Sequence, residues 1–177
     1  MTSIQPSTPV EEAGASQISV ERWTVSSSSE RDSRASLVLY GGGWHWRAHA
    51  TGNGAVDALM RAVDEALASL LGNGLQLTTY DVHATGEGHD TTAEVTVSLR
   101  PRDGETAPIY PGRATHENVL EASLSAYVDA INGYLADRAI DVASRIPSPG
   151  ATDRHDAAPD HEVRSRTVNA ISRLYNG

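Results

Sequence analysis

The sequence predicts an α+β fold of two consecutive strand-strand-strand-helix units, each a small antiparallel sheet packed by one helix. Three observations predict it. The apolar period switches from two to 3.6 residues, and does so twice in the same order. Short runs recur: Trp23-Thr24-Val25 is answered by Tyr80-Asp81-Val82, Ala35–Leu39 by Ala93–Val97, and Asn53-Gly54-Ala55-Val56 by His116-Glu117-Asn118-Val119. Glycine clusters punctuate the segments where turns are needed. A repeat of this size implies two similar units about a pseudo-twofold axis.

In chain order, Ile18–Val25 and Ser36–Tyr40 read as strands, then Gly41-Gly42-Gly43 turns the chain into a third strand, Trp44–Ala50. Thr51-Gly52-Asn53-Gly54 opens a helix whose apolar positions, Val56, Leu59, Met60, Val63, Leu67, Leu70 and Leu71, keep helical spacing. Gly72 stops it. Leu75–Ala84 and Thr91–Leu99 are the next strands, and Ile109–Arg113 is a shorter one. The second helix runs from about His116 to Leu135, with Val119, Leu120, Leu124, Tyr127, Val128, Ile131 and Leu135 on its apolar face.

Residues 1–16 mix Ser, Thr, Pro, Glu and Gly and are expected to form a mobile tail, because they offer too little apolar surface to offset ordering entropy. The double unit spans 17–138. Residues 139–177 read as a linker and a short C-terminal helix: Ile146–Asp160 holds three prolines, and Val163, Val168, Ile171 and Leu174 then share one helical face. A unit of three strands and one helix has too little core to stand alone, so pairing within and between chains is expected.

Composition narrows the chemistry. The chain has 177 residues, 23 acids against 14 bases and a net charge of −9, with every base an arginine and no cysteine. That excludes a disulfide framework, a thiolate metal site, a cysteine nucleophile, lysine Schiff-base chemistry and a Walker-type lysine. Net negative charge argues against nucleic acid as a partner. No apolar run approaches the ~20 residues that span a bilayer, and the N-terminus lacks signal-peptide features, so no membrane is expected and the cytoplasm is the expected location.

Individual residues leave alternatives open. The Gly52-Asn53-Gly54 loop at a helix start suits an anion such as a carboxylate, or is an ordinary tight turn with an asparagine N-cap. Asp57 could accept from an ammonium group, or simply favour its helix dipole. Tyr80 could close over an aliphatic ligand, or be a half-buried strand aromatic. In the strand Trp44–Ala50, alternation places Trp44, Trp46 and Ala48 on one face and His45, Arg47 and His49 on the other. His45 and His49 then lie about 13 Å apart, too far for one metal ion, so no metal site is expected there. The tryptophans read as core or dimer interface, and Ser26–Ser29 as a loop.

Three runs, Ala50–Leu59 (ATGNGAVDAL), Tyr80–Val97 (YDVHATGEGHDTTAEVTV) and Thr115–Asn132 (THENVLEASLSAYVDAIN), resemble the C-terminal regulatory domain of α-isopropylmalate synthases, a module shared with citramalate synthases. The likeness covers about residues 17–135 in the right order. It implies a dimerising double βββα domain that binds a pathway end product, leucine or isoleucine, as feedback inhibitor. By resemblance, Gly52, Asn53 and Gly54 belong to the effector pocket, and Val56, Leu77, Tyr80 and Ala84 line its apolar part. Asp57, Thr91 and Ala114 stand at its edge, with Asp90 a ligand contact or hairpin cap. The family usually has proline after the second glycine, where this chain has Ala55.

In those synthases the domain follows a catalytic barrel of roughly 250 residues, for which this chain has no room. No His-x-His pair occurs. The expectation is therefore a stand-alone module that binds a small branched amino acid or related carboxylate as a homodimer. It would act on a separately encoded synthase, with no cofactor and no catalysis of its own. Two alternatives stand beside it. The pocket could serve a small enzyme through Tyr80, His83, Asp90, His116 and Glu117, or the chain could be a structural homodimer without ligand.

Overall fold

A computed structural model describes residues 17–86, 91–102 and 106–145. The elements are β1 (Ser19–Ser26), β2 (Ser33–Gly41), β3 (Trp44–Gly52), α1 (Ala55–Ala66), α2 (Ala68–Leu71), β4 (Leu75–Thr85), β5 (Thr92–Pro101), β6 (Tyr110–His116) and α3 (Val119–Asp137). They form two antiparallel three-stranded sheets, β1-β2-β3 and β4-β5-β6, with α1 packed on the first and α3 on the second. The α+β architecture with a repeated βββα unit is the one the periodicities predict. The first helix differs in detail. It breaks at Leu67 (φ −100°, ψ 11°) before α2, and the break lets Leu67, Leu70 and Leu71 all enter the core at 0, 4 and 3% exposure.

Strand register shows how close the repeat is. Trp23 faces Leu37 and Tyr80 faces Val97, so Trp23 and Tyr80 are equivalent. Each first strand carries a bulge at the same place, between Val20 and Arg22 and between Leu77 and Thr79. Register makes Ala35 equivalent to Val95, two residues beyond the match of the strings Ala35–Leu39 and Ala93–Val97. The helix starts are likewise offset by one: the N-caps are Gly54 and Asn118, so Gly54, not Ala55, answers Asn118. Both corrections have one cause. The connecting loops differ in length, so equivalence drifts along the chain while strand pairing stays fixed.

Each sheet turns one row of side chains toward the helices. In the first sheet that row includes Leu37 and Leu39 of β2 and the fully buried Trp46 of β3. In the second it includes Val95, Val97 and Leu99 of β5, each 0% exposed. The two units share one continuous core. Helix α3 lies so close to β6 that a Cβ on Gly112 would stand 2.1 Å from the Ala126 carbonyl oxygen and 2.6 Å from the Ala130 nitrogen. Only glycine permits that approach. Packing continues past α3, where Val142 is fully buried and the chain crosses Gly42 of the β2–β3 turn.

The units meet through α3. The Ile18 N–H donates to Asn132 Oδ1 and Asn132 Nδ2 donates to the Ile18 carbonyl, both at 2.8 Å. Further along β1, Trp23 Nε1 donates to the Glu121 carboxylate. Tyr127 of α3 donates to Asp64 Oδ1 of α1 at 2.8 Å. The first strand of unit one is thus docked on the helix of unit two.

Candidate functional site

The chain presents two clusters, one in each unit. The first is the Gly52-Asn53-Gly54 loop. Gly52 is buried at the end of β3, and a Cβ there would meet the Ala58 nitrogen at 2.5 Å and Asp57 Oδ2 at 2.6 Å, so helix α1 rests directly on it. Gly54 is the N-cap, and no side chain caps the helix. Asp57 folds back instead: its Oδ2 accepts the Asn53 N–H at 2.9 Å, and Arg61 Nε lies 2.9 Å from Oδ1. Partial burial pushes the Asp57 carboxyl up, but the Arg61 hydrogen bond and the Asn53 N–H outweigh it and hold the group below the usual carboxylate range. Asp57 therefore organises the loop, while the first-turn amides of α1 lack a side-chain acceptor. Beside the loop opens a polar hollow of about 810 Å³, lined by Thr51, Asn53, Arg34, Arg31 and the loop Ser28–Asp32.

Helix α3 starts differently. Asn118 Oδ1 accepts the Leu120 N–H at 2.9 Å, and the Asn118 N–H itself donates to His116 Nδ1 at 2.9 Å. These bonds end β6 at His116 and start the helix at Val119, later than periodicity alone suggests.

The second cluster is the helix-facing row of β4. Register places Leu75, Leu77, Tyr80, Val82 and Ala84 on the face that carries Val95 and Val97 of β5. Helix α3 lies over β5 and β6, so beyond the buried Leu75 this row is left open: Leu77 is 38% and Val82 43% exposed. Tyr80 is half-buried and tied down, because Ser123 Oγ donates to the Val119 carbonyl at 2.6 Å and accepts from the Tyr80 hydroxyl at 2.8 Å. Ala114 joins the same inner face from β6 and is half-buried against the core. Val56 is half-buried in the first turn of α1, and Thr91 immediately precedes β5. Asp90 lies outside the described residues, as does the segment 146–177 with its predicted helix.

The expected site residues therefore fall in two groups, Gly52–Asp57 in unit one and Leu77, Tyr80, Ala84 and Ala114 in unit two. Two residues of the second group escape a sequence reading. Val82 is signalled by alternation from Tyr80. Ser123 carries no sequence signal, since its role depends on how α3 packs against β4. The groups that an enzyme reading would combine are separated: Tyr80 and His83 lie on opposite faces of β4, and His116 Nδ1 is occupied by Asn118. Among the described residues no group of three or more His, Asp or Glu side chains could hold a metal ion, and no helix is long and apolar enough to cross a membrane.

Residues 7–135 match the family described as the LeuA allosteric (dimerisation) domain. The chain belongs to that family. Among its curated relatives, a 2-isopropylmalate synthase of Rhodopseudomonas palustris is 33% identical over 138 residues, which is 78% of this chain and 25% of the relative. One of Acetivibrio thermocellus is 33% identical over 109 residues, 62% of this chain and 19% of the relative. One of Xanthomonas campestris is 42% identical over 89 residues, 50% of this chain and 16% of the relative. The chain thus spans a quarter or less of the length of these relatives, and the shared part is their regulatory-type domain.

Proposed function

We propose that this chain is an effector-binding, homodimerising regulatory module for a leucine- or isoleucine-forming synthase, taking a small branched amino acid or a related carboxylate as ligand. The observation that supports it most is the pairing of an uncapped first turn on α1 with an open apolar row on β4. Amide groups without an acceptor suit a carboxylate, and the row Leu77, Tyr80, Val82 and Ala84 suits a branched aliphatic side chain. The two belong to different units, so a ligand using both would have to span them, within one protomer or across the dimer. Thr91, Asp57 and Asp90 would stand at the rim of that site. In this reading the protomers pair over the β4 row, no metal or cofactor takes part, and the catalytic steps belong to a synthase barrel in the cytoplasm on which the module acts. Coupling is reciprocal: effector would tighten or loosen the grip on that synthase by the factor by which the synthase alters effector affinity.

The test is a thermal unfolding series with leucine, isoleucine, valine, 2-isopropylmalate and citramalate. A ligand at ~100 times its dissociation constant adds about 2.7 kcal/mol, a rise of several degrees for a domain of this size. A selective rise with one branched amino acid, lost in Leu77→Asp, is the expected result. No shift with any of the five overturns the effector reading.

A further inference from the structure

The outer face of the first sheet, turned away from both helices, has a chemistry unlike the rest of the molecule. Register aligns Arg22, Val38 and Arg47 in one row across the three strands, and Thr24, Ser36 and His49 in the next. Arg34 lies one row further on the same face. The central strand thus shows small residues, Ser36 and Val38, flanked by long ones on both neighbours. The result is a groove of about 380 Å³ with Arg22 on one wall and Arg47 and His49 on the other. Two interstrand spacings make it about 10 Å wide, and from Arg34 to Tyr40 it runs about 20 Å. Val38 is only 7% exposed although it points outward, so the arginine stems beside it cover it.

The three arginines are exposed, and none of their guanidinium groups forms a hydrogen bond or ion pair with a described residue. By contrast Arg61 pairs with Asp57, and Arg113 Nη1 lies 3.2 Å from Glu94 Oε1 on the second sheet. Near this face Glu21 is held by His45 at 3.0 Å and Glu121 by the Trp23 indole. In a chain of net charge −9, such an island of unneutralised arginine carries a marked local field.

We infer that this groove is a docking surface for an extended, carboxylate-rich segment of a partner protein. Its width admits one strand of polypeptide, and arginine forks on both walls match carboxylates bidentately. A second copy of this chain meeting it through the same face would bring two arginine-rich patches together, which like-charge repulsion opposes. The surface is separate from the β4 row, so the inference does not depend on effector binding.

The test uses the full chain and a dye-labelled octaglutamate peptide, read by fluorescence anisotropy. Saturable binding is expected that weakens about tenfold or more between low and moderate salt. The double variant Arg22→Gln/Arg47→Gln should lose about tenfold or more in affinity while keeping its thermal midpoint, and Arg113→Gln should bind as the parent does. Four results would overturn the proposal: no saturable binding, equal binding of octaglutamine, unchanged affinity in the double variant, or tighter binding of an oligothymidylate of equal charge. The last would make the groove a nucleic-acid surface.

Discussion

The two units follow one plan and differ where they meet the outside. In unit one, β1 is covered from beyond its own sheet: Ile18 and Trp23 bond to Asn132 and Glu121 of α3. In unit two, the equivalent strand β4 has no such cover, and its apolar row faces solvent. The helices show the reverse contrast. Helix α3 is capped by Asn118 and buried on several sides, whereas α1 begins at an uncapped glycine and keeps a polar outer face. Counted from the N-caps, Asp57, Arg61, Asp64 and Glu65 of α1 stand where α3 carries Glu121, Ser125, Val128 and Asp129. So α3 can receive a strand and α1 cannot. The departures from symmetry coincide with the two surfaces proposed to take the ligand.

The largest effect is expected where α3 touches its sheet. Gly112 is equivalent to Ala48 in the first sheet, by the pairing of Tyr110 with Leu99 and Trp46 with Leu39. Unit one therefore accommodates a Cβ at a position where unit two has none to spare. Gly112→Ala should cost about 3 kcal/mol, because the clash is with helix backbone that cannot yield locally. Ala48→Gly should cost under about 1 kcal/mol. Urea midpoints of the two variants check this, and equal losses would mean that α3 lies further from β6.

Exposure of the first strands separates pairing from folding. Val82 on β4 is 43% exposed, while its counterpart Val25 on β1 is half-buried against the core. Val82→Asp should leave the thermal midpoint of the folded chain nearly unchanged and weaken self-association about a hundredfold, about 2.7 kcal/mol. Val25→Asp should lower the midpoint directly, since it presses a charge against the apolar core. Sedimentation equilibrium with a melting curve resolves the two. A fully dimeric Val82→Asp would place the dimer contact elsewhere.

Much of this contrast was legible in the string, and the division is physical. Strand and helix identities were set locally, by alternation in Ser36–Tyr40, by helical spacing from Val56 to Leu71, and by glycine at 41–43 and 72. The candidate residues on β4 followed from resemblance, and their shared face from alternation. What stayed hidden depends on packing at a distance. Nothing near Trp23 or Asn132 announces that β1 docks on α3, because the partners lie on opposite ends of the chain. The paired bulges were also invisible, since one extra residue in a strand looks like any other. Gly112 gave no turn signal, because its reason is a helix passing overhead.

The unit junction carries a pH test. Asp64 of α1 occupies the position that Val128, only 4% exposed, takes in α3. Burial pushes its carboxyl up to about 6, although the Tyr127 hydrogen bond and the charges of Arg102 and Arg61 pull the other way. A pKa raised on folding means that the folded state holds the proton more tightly. Stability from this group is full at pH below the unfolded value of 3.8 and is lost as pH rises through about 6. Asp64→Asn keeps an acceptor for Tyr127 and abolishes that loss. It should exceed the parent by about 2 kcal/mol near neutrality, with the gain vanishing toward acid. Urea unfolding across that window would show a flat difference if the group is not buried as described.

The smallest effect bears most directly on the site. Gly54→Asn would give α1 the cap that Asn118 gives α3. An asparagine N-cap can supply a side-chain acceptor to the first-turn amides, worth a few tenths of a kcal/mol over glycine. If those amides are free to receive a carboxylate, the same change occupies them. The variant should then melt slightly higher alone and gain less from the branched amino acid that stabilises the parent. The sign of the two shifts decides the matter. A higher midpoint with undiminished ligand response would show that the carboxylate is held elsewhere, for example by Arg34 in the polar hollow beside the loop. A higher midpoint with a weaker response would tie ligand binding to the uncapped start of α1.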